Sequence, residues 1–100
     1  MTEKDFYVYM LASKKYGVIY KGMTSDFVRR VSEHKNRTKG HFTKKFNVRM
    51  LVWYKQCGTV EEAVLWEKRL RRYPRQWKID LIEKDNPAWS DLWAEIWGVK

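Results

Sequence analysis

The chain has few of the residues that staple or interrupt a fold. A single cysteine, Cys57, in 100 residues rules out an internal disulfide and fits a reducing compartment. Met1-Thr2-Glu3-Lys4-Asp5 is acidic and polar, unlike a secretory leader, so a cytoplasmic location is expected. No apolar run approaches the ~20 residues of a membrane span. The five glycines are scattered singly, so there is no glycine-rich phosphate loop. Two histidines and one cysteine have no zinc-site spacing. No Gly-x-Ser-x-Gly occurs, and Cys57 has no histidine at a diagnostic spacing. The length itself excludes a Rossmann domain, a TIM barrel or a two-domain enzyme, and a single domain over residues 1–100 is expected.

Acid is scarce beside base: 12 Asp and Glu against 21 Lys and Arg, net +9. Six Trp, six Tyr and four Phe supply enough apolar surface to offset the entropy of folding. The excess charge is local. Residues 14–49 hold eleven Lys and Arg against Asp26 and Glu33, so this window carries the whole net charge. Concentrated positive charge attracts polyanions by releasing their counterions. No segment pairs a basic face with a broad apolar one, which argues against a membrane surface. The expected partner is nucleic acid, contacted by Lys14, Lys15, Lys21, Arg29, Lys35, Arg37, Lys39, His41, Lys44 and Lys45.

Phe6 to Leu11 and Val18 to Met23 read as two strands joined by a polar loop. A turn centred on Lys14-Lys15 places Tyr9 opposite Tyr20, with both phenols on one face. Thr24-Ser25-Asp26 starts a helix from about Asp26 to Lys35, striped by Phe27 and Val31, with Arg30 and His34 projecting together. Residues 35–49 read as a basic connection with room for a helical turn. Met50 to Gln56 is a third strand. Thr59-Val60-Glu61-Glu62 is a capping box opening a helix to about Arg72, and Pro74 starts another to about Lys84. Asn86-Pro87 starts a last helix, with Trp89, Trp93 and Trp97 in a stripe. The order β-β-α-β-α-α-α describes an α+β fold, a small three-stranded, mainly antiparallel sheet flanked by helices.

Few residues remain that could do chemistry. Glu67 falls on the stripe Ala63, Trp66, Glu67, Leu70, where a carboxylate needs a partner. Either a hard divalent cation or an ion pair with Arg71, four residues on, supplies it. By spacing alone the ion pair is the simpler account. Arg30 and His34 could simply touch phosphates, Tyr9 and Tyr20 serve as sheet residues, and Asn86 act as a cap.

Taken together, Tyr7-Val8-Tyr9, Tyr20-Lys21-Gly22, Arg30-x-x-x-His34, Glu67 and Asn86 resemble the GIY-YIG nuclease superfamily, in order and in spacing. The resemblance is strongest to small stand-alone bacterial members related to the N-terminal nuclease domain of the excinuclease. It extends through Phe42-Thr43-Lys44-Lys45 and the run from Trp77 to Pro87. Gly17-Val18-Ile19-Tyr20 imitates the first motif but belongs to the second strand; the spacing to Tyr20 identifies Tyr9 as the first motif's tyrosine. Two positions depart from the pattern: Tyr7 replaces the first motif's glycine, and Lys21 replaces the central isoleucine of the second.

The resemblance implies metal-dependent hydrolysis of phosphodiester bonds in DNA, with structure preferred over sequence, in repair or recombination. It implies Tyr9, Tyr20, Arg30, His34, Glu67 and Asn86 as catalytic residues, with Glu67 holding Mg²⁺ or Mn²⁺. Tyr9, ahead of Tyr20, orients or deprotonates water, with Arg30, Lys21 and the metal favouring its phenolate. Arg30 neutralises the phosphorane, His34 positions or relays, and Asn86 holds phosphate or braces the site. The alternative is a non-catalytic basic nucleic-acid-binding module of the same fold. Either leaves room for a protein partner that supplies specificity, with the chain a monomer or weak dimer.

Overall fold

A computed structural model of the chain describes residues 6–35, 47–93 and 95, with His34 described by its backbone alone. Strands β1 (Phe6–Ala12) and β2 (Ile19–Thr24) precede helix α1 (Phe27–Lys35). Strand β3 (Met50–Cys57) is followed by α2 (Val60–Arg72) and α3 (Arg75–Asp85). The strands form one antiparallel sheet in the order β2-β1-β3, so the α+β architecture is as expected. No helix among the described residues is long and apolar enough to cross a membrane.

β1 is central and its residues 8–12 are all buried, because both faces of the sheet are covered. Alternation sends Val8, Met10 and Ala12 to one face, where Ala63 and Leu70 of α2 and Ile79 and Ile82 of α3 meet them. It sends Tyr9 and Leu11 to the other, against Phe27 and Val31 of α1.

The hairpin register differs from the expected one by two residues. Tyr9 faces Gly22, and Tyr20 faces Leu11. The turn centres one residue later because it closes between Lys14 O and Gly17 N at 2.8 Å, with Tyr16 in the left-handed region at φ 64°. Ser13 N donates to Val18 O at 3.0 Å, and Ser13 Oγ accepts from Val18 N at 3.0 Å. A Cβ on residue 17 would lie 2.3 Å from that Oγ, so only glycine closes this turn without displacing Ser13. A two-residue shift preserves side-chain parity, and Tyr9 and Tyr20 remain on one face.

Local chemistry sets the helix starts. Thr24 Oγ1 accepts from Asp26 N at 2.9 Å, and α1 begins at Phe27. Thr59 Oγ1 accepts from Glu62 N at 3.1 Å, while Glu62 Oε1 accepts from Gly58 N at 3.2 Å, a capping box reaching one residue further back. Pro74 takes the N-cap position of α3 instead of its first turn.

The expected last helix does not begin at Asn86. Asn86 is instead the C-cap of α3, its N–H bonded to Ile82 O at 2.8 Å. The chain then turns through Trp89, at φ 57°, before Trp93 and Glu95 become helical. The tryptophan stripe is thereby split. Trp89 is buried in the core under α2 and α3, whereas Trp93 packs on the α1 side; Trp97 lies outside the described residues.

Candidate active site

The site grows from one close approach. Tyr9 on β1 lies opposite Gly22 on β2. A Cβ on residue 22 would fall 2.7 Å from the Tyr9 hydroxyl and 2.9 Å from its Cζ. The absent side chain is therefore the space through which the Tyr9 phenol crosses to the neighbouring strand. There its ring meets Tyr20 at 6.5 Å between centroids, tilted by 42°, and Phe27 of α1 at 6.0 Å. Tyr9 is 1% exposed, and Tyr20 is half-buried.

α1 brings the charge. Phe27 and Val31 anchor its inner face, and Arg30 and Glu33 flank it. Arg30 Nε faces Glu33 Oε1 at 3.7 Å and is buried without a hydrogen-bond partner among the described residues. The other Glu33 oxygen accepts from Arg29 Nη1 at 2.8 Å, and Arg29 Nε donates to Asp26 Oδ2 at 2.9 Å. Burial raises the Tyr9 phenol well above its ordinary range; Tyr20 adds to the rise, Arg30 opposes it and Glu33 adds to it. The phenolate expected at Tyr9 is thus disfavoured by the protein itself, because desolvation outweighs the Arg30 guanidinium. Glu33 was not among the expected site residues. Its only sequence signal is its position, three residues after Arg30 and next to His34.

Glu67 comes from another helix. α2 packs on the face opposite α1, against β1 and β2. The Glu67 carboxylate is 18% exposed and pairs with Arg71, which is 60% exposed. That ion pair is the simpler of the two accounts open from spacing. No cluster of three His, Cys, Asp or Glu suited to a metal occurs among the described residues. A lone shielded carboxylate still suits Mg²⁺, which keeps most of its waters and needs one or two protein oxygens beside substrate phosphate. Arg71, mostly in solvent, can swing away and release it.

Asn86 is committed elsewhere. Its Nδ2 donates to Val52 O at 3.0 Å and Ser90 O at 2.9 Å, and its Oδ1 accepts from Ser90 N at 3.0 Å. These bonds all serve backbone. The reason lies in β3, where Met10 pairs with Trp53 and Leu11 with Leu51, leaving Val52 as a bulge.

The basic residues divide. Lys14 and Lys15 are exposed on the hairpin turn, Lys15 Nζ lying 5.4 Å from the Tyr16 ring centroid. Lys21, opposite Met10, points to the face away from Tyr20, towards α3. There burial lowers the Lys78 pKa, with Lys21 and Arg75 adding to the effect. Arg29 is committed to Asp26 and Glu33. Lys35 is bound to Arg49 O at 3.1 Å, to Asp91, and to the Trp93 ring face. Arg37, Lys39, His41, Lys44 and Lys45 lie outside the described residues, as does the His34 side chain.

The family model of the GIY-YIG catalytic domain matches residues 5–80. A UPF0213 protein of Staphylococcus saprophyticus is 30% identical over 78 residues, covering 78% of this chain and 94% of that protein. A UPF0213 protein of Aeromonas salmonicida is 26% identical over 81 residues, 81% of this chain but 58% of that longer protein. The solution NMR structure of a UPF0213 protein from Bacillus halodurans superposes with a TM-score of 0.56 at 28% identity, covering 87% of this chain and 92% of that one.

Proposed function

The chain belongs to the family of the GIY-YIG catalytic domain, and from that premise we propose that it is a metal-dependent endonuclease. Its substrate is DNA, recognised by structure more than by sequence, in repair or recombination. The carrying observation is the tyrosine pair over Gly22, with Arg30 of α1 beside it. Water attacks phosphorus, a P–O bond forms, and the bond to the 3′ oxygen breaks. The buried Tyr9 keeps its proton and orients the water. Tyr20, half-buried, takes the water's proton while passing its own to solvent, from which the leaving 3′ oxygen is protonated. Arg30, whose Nε has no hydrogen-bond partner among the described residues, offsets charge growing on the phosphorane. Glu33 holds that guanidinium in place, and Asn86 braces β3 without touching substrate. Glu67 would hold the divalent ion, which supplies Lewis acidity at the phosphate and the leaving oxygen.

The test is cleavage of branched and linear DNA with and without Mg²⁺. Glu67→Gln should abolish cleavage while DNA affinity stays within about threefold, because affinity comes from many phosphate contacts. Cleavage retained in that variant would remove Glu67 from the site. The Glu67–Arg71 pair and the burial of Tyr9 favour a second reading, a binding module that does not cleave. Binding without Mg²⁺-dependent turnover on any of the substrates would select it.

A further inference from the structure

On the face of the sheet turned away from the tyrosines, Trp66 of α2 stands beside Trp53 of β3, ring centroids 6.1 Å apart and tilted by 44°. Trp53 is a buried floor, 6% exposed, whereas Trp66 is half-open. Two cations reach the indole from different elements: Lys55 Nζ of β3 lies 5.5 Å from its centroid, and Arg69 Cζ of α2 lies 5.4 Å from it. Beside them opens a cavity of about 320 Å³ lined in part by Trp53, Lys55, Trp66, Leu81, Lys84 and Asp85.

We propose that this cavity is a stacking platform for an unpaired nucleobase, a second nucleic-acid site that binds single strands. The argument is complementarity. A strand of nucleic acid offers a flat π-face flanked by phosphates, and this cavity offers an indole flanked by Lys55, Arg69 and Lys84, with Asp85 the one carboxylate lining it among the described residues. Cation–π contacts at exposed sites are weak. Stacking a base while turning both cations to phosphates replaces them with stronger interactions. The inference rests on the nucleic-acid reading above only for the class of its ligand, and it needs no cleavage.

The test is fluorescence anisotropy in metal-free buffer, with labelled oligo(dT) and a duplex of equal length. Trp66→Ala should weaken single-strand binding roughly 5- to 100-fold, with duplex affinity unchanged within about twofold. Trp66→Phe, which keeps an aromatic face, should retain most of the affinity. The salt slope should be unaltered by Trp66→Ala but fall by about 0.7 per cation removed in Lys55→Ala/Arg69→Ala. Should Trp66→Ala fail to fold, an oligonucleotide carrying 2-aminopurine decides with the wild-type chain: quenching on binding supports the stack, and unquenched binding overturns it. Single-strand affinity indifferent to Trp66, or equal losses for single strand and duplex, also overturns it. A chain that binds neither strand nor duplex overturns the nucleic-acid reading as well; one that binds duplex but ignores Trp66 overturns this inference alone.

Discussion

Gly22 and Tyr9 share one volume, and each constrains the other. An alanine at 22 puts its Cβ 2.7 Å from the Tyr9 hydroxyl, and Phe27 and Tyr20 close the sides through which the ring could retreat. Gly22→Ala should cost ~1–3 kcal/mol of stability through overpacking. It should also lower the single-turnover cleavage rate by about 10²-fold, the typical penalty of an ångström-scale misplacement. Denaturant unfolding and rapid-quench rates measure the two effects. Tyr9 also makes a pH prediction. Burial raises its folded-state pKa above the ~10 of an unfolded tyrosine. Above pH ~10 the unfolded chain binds fewer protons at this position than the folded one, so stability is full below that pH and falls as pH rises towards the folded value. The loss is about 1.4 kcal/mol per pH unit for one proton. Tyr9→Phe should remove that component, and urea unfolding at pH 9, 10 and 11 should show a shallower decline for the variant.

At the scale of elements, the open edge of β3 is covered by the segment after α3. Leu92 N donates to Leu51 O at 2.7 Å, Leu51 N donates to Asp91 Oδ1 at 3.2 Å, and Asn86 takes the carbonyl of the bulged Val52. An edge without such cover would be a template for pairing with another chain. Asn86→Ala should cost ~1–3 kcal/mol, the desolvation penalty of an orphaned buried carbonyl. Asn86→Asp should cost more, because a carboxylate would face the carbonyls of Val52 and Ser90. If Asn86 only braces the fold, both folded variants keep the wild-type rate at saturating substrate; a rate loss in Asn86→Ala out of proportion to its stability would give the amide a role at phosphate.

The molecule as a whole carries +9, but its cations are not equally available. Arg29 and Lys35 neutralise carboxylates of the protein itself, and Lys35 ties the end of α1 to the segment that covers β3. Lys14 and Lys15 stand exposed. Lys35→Ala should therefore lower the melting temperature and leave the salt slope of DNA binding unchanged. Lys14→Ala/Lys15→Ala should leave the melting temperature unchanged and reduce the slope by roughly 0.9 for each phosphate no longer neutralised. Titrations from low to moderate salt, beside thermal melts, separate the two roles.

Periodicity and caps were legible in the sequence because they are local. The aromatic and branched run Phe6 to Leu11, the Thr59 capping box and the Phe27/Val31 stripe each depend on residues close along the chain, and the motif spacing offers Tyr9, Tyr20 and Arg30 as candidates without coordinates. What the sequence could not carry were properties that need a second element. The hairpin register was set by how Tyr16, Gly17 and Ser13 close the turn and by the fit of a phenol against Gly22. Asn86 reads as a helix start because Asn-Pro is a good one; a bulge thirty-four residues earlier claims its amide for Val52 instead. Glu33 looks like an incidental acid, and only the packed helix aims it at Arg30 and Tyr9. The protonation of Tyr9 was likewise decided in three dimensions: nearby cations can be counted along a chain, whereas desolvation depends on everything that packs around the phenol, and here it is the larger effect.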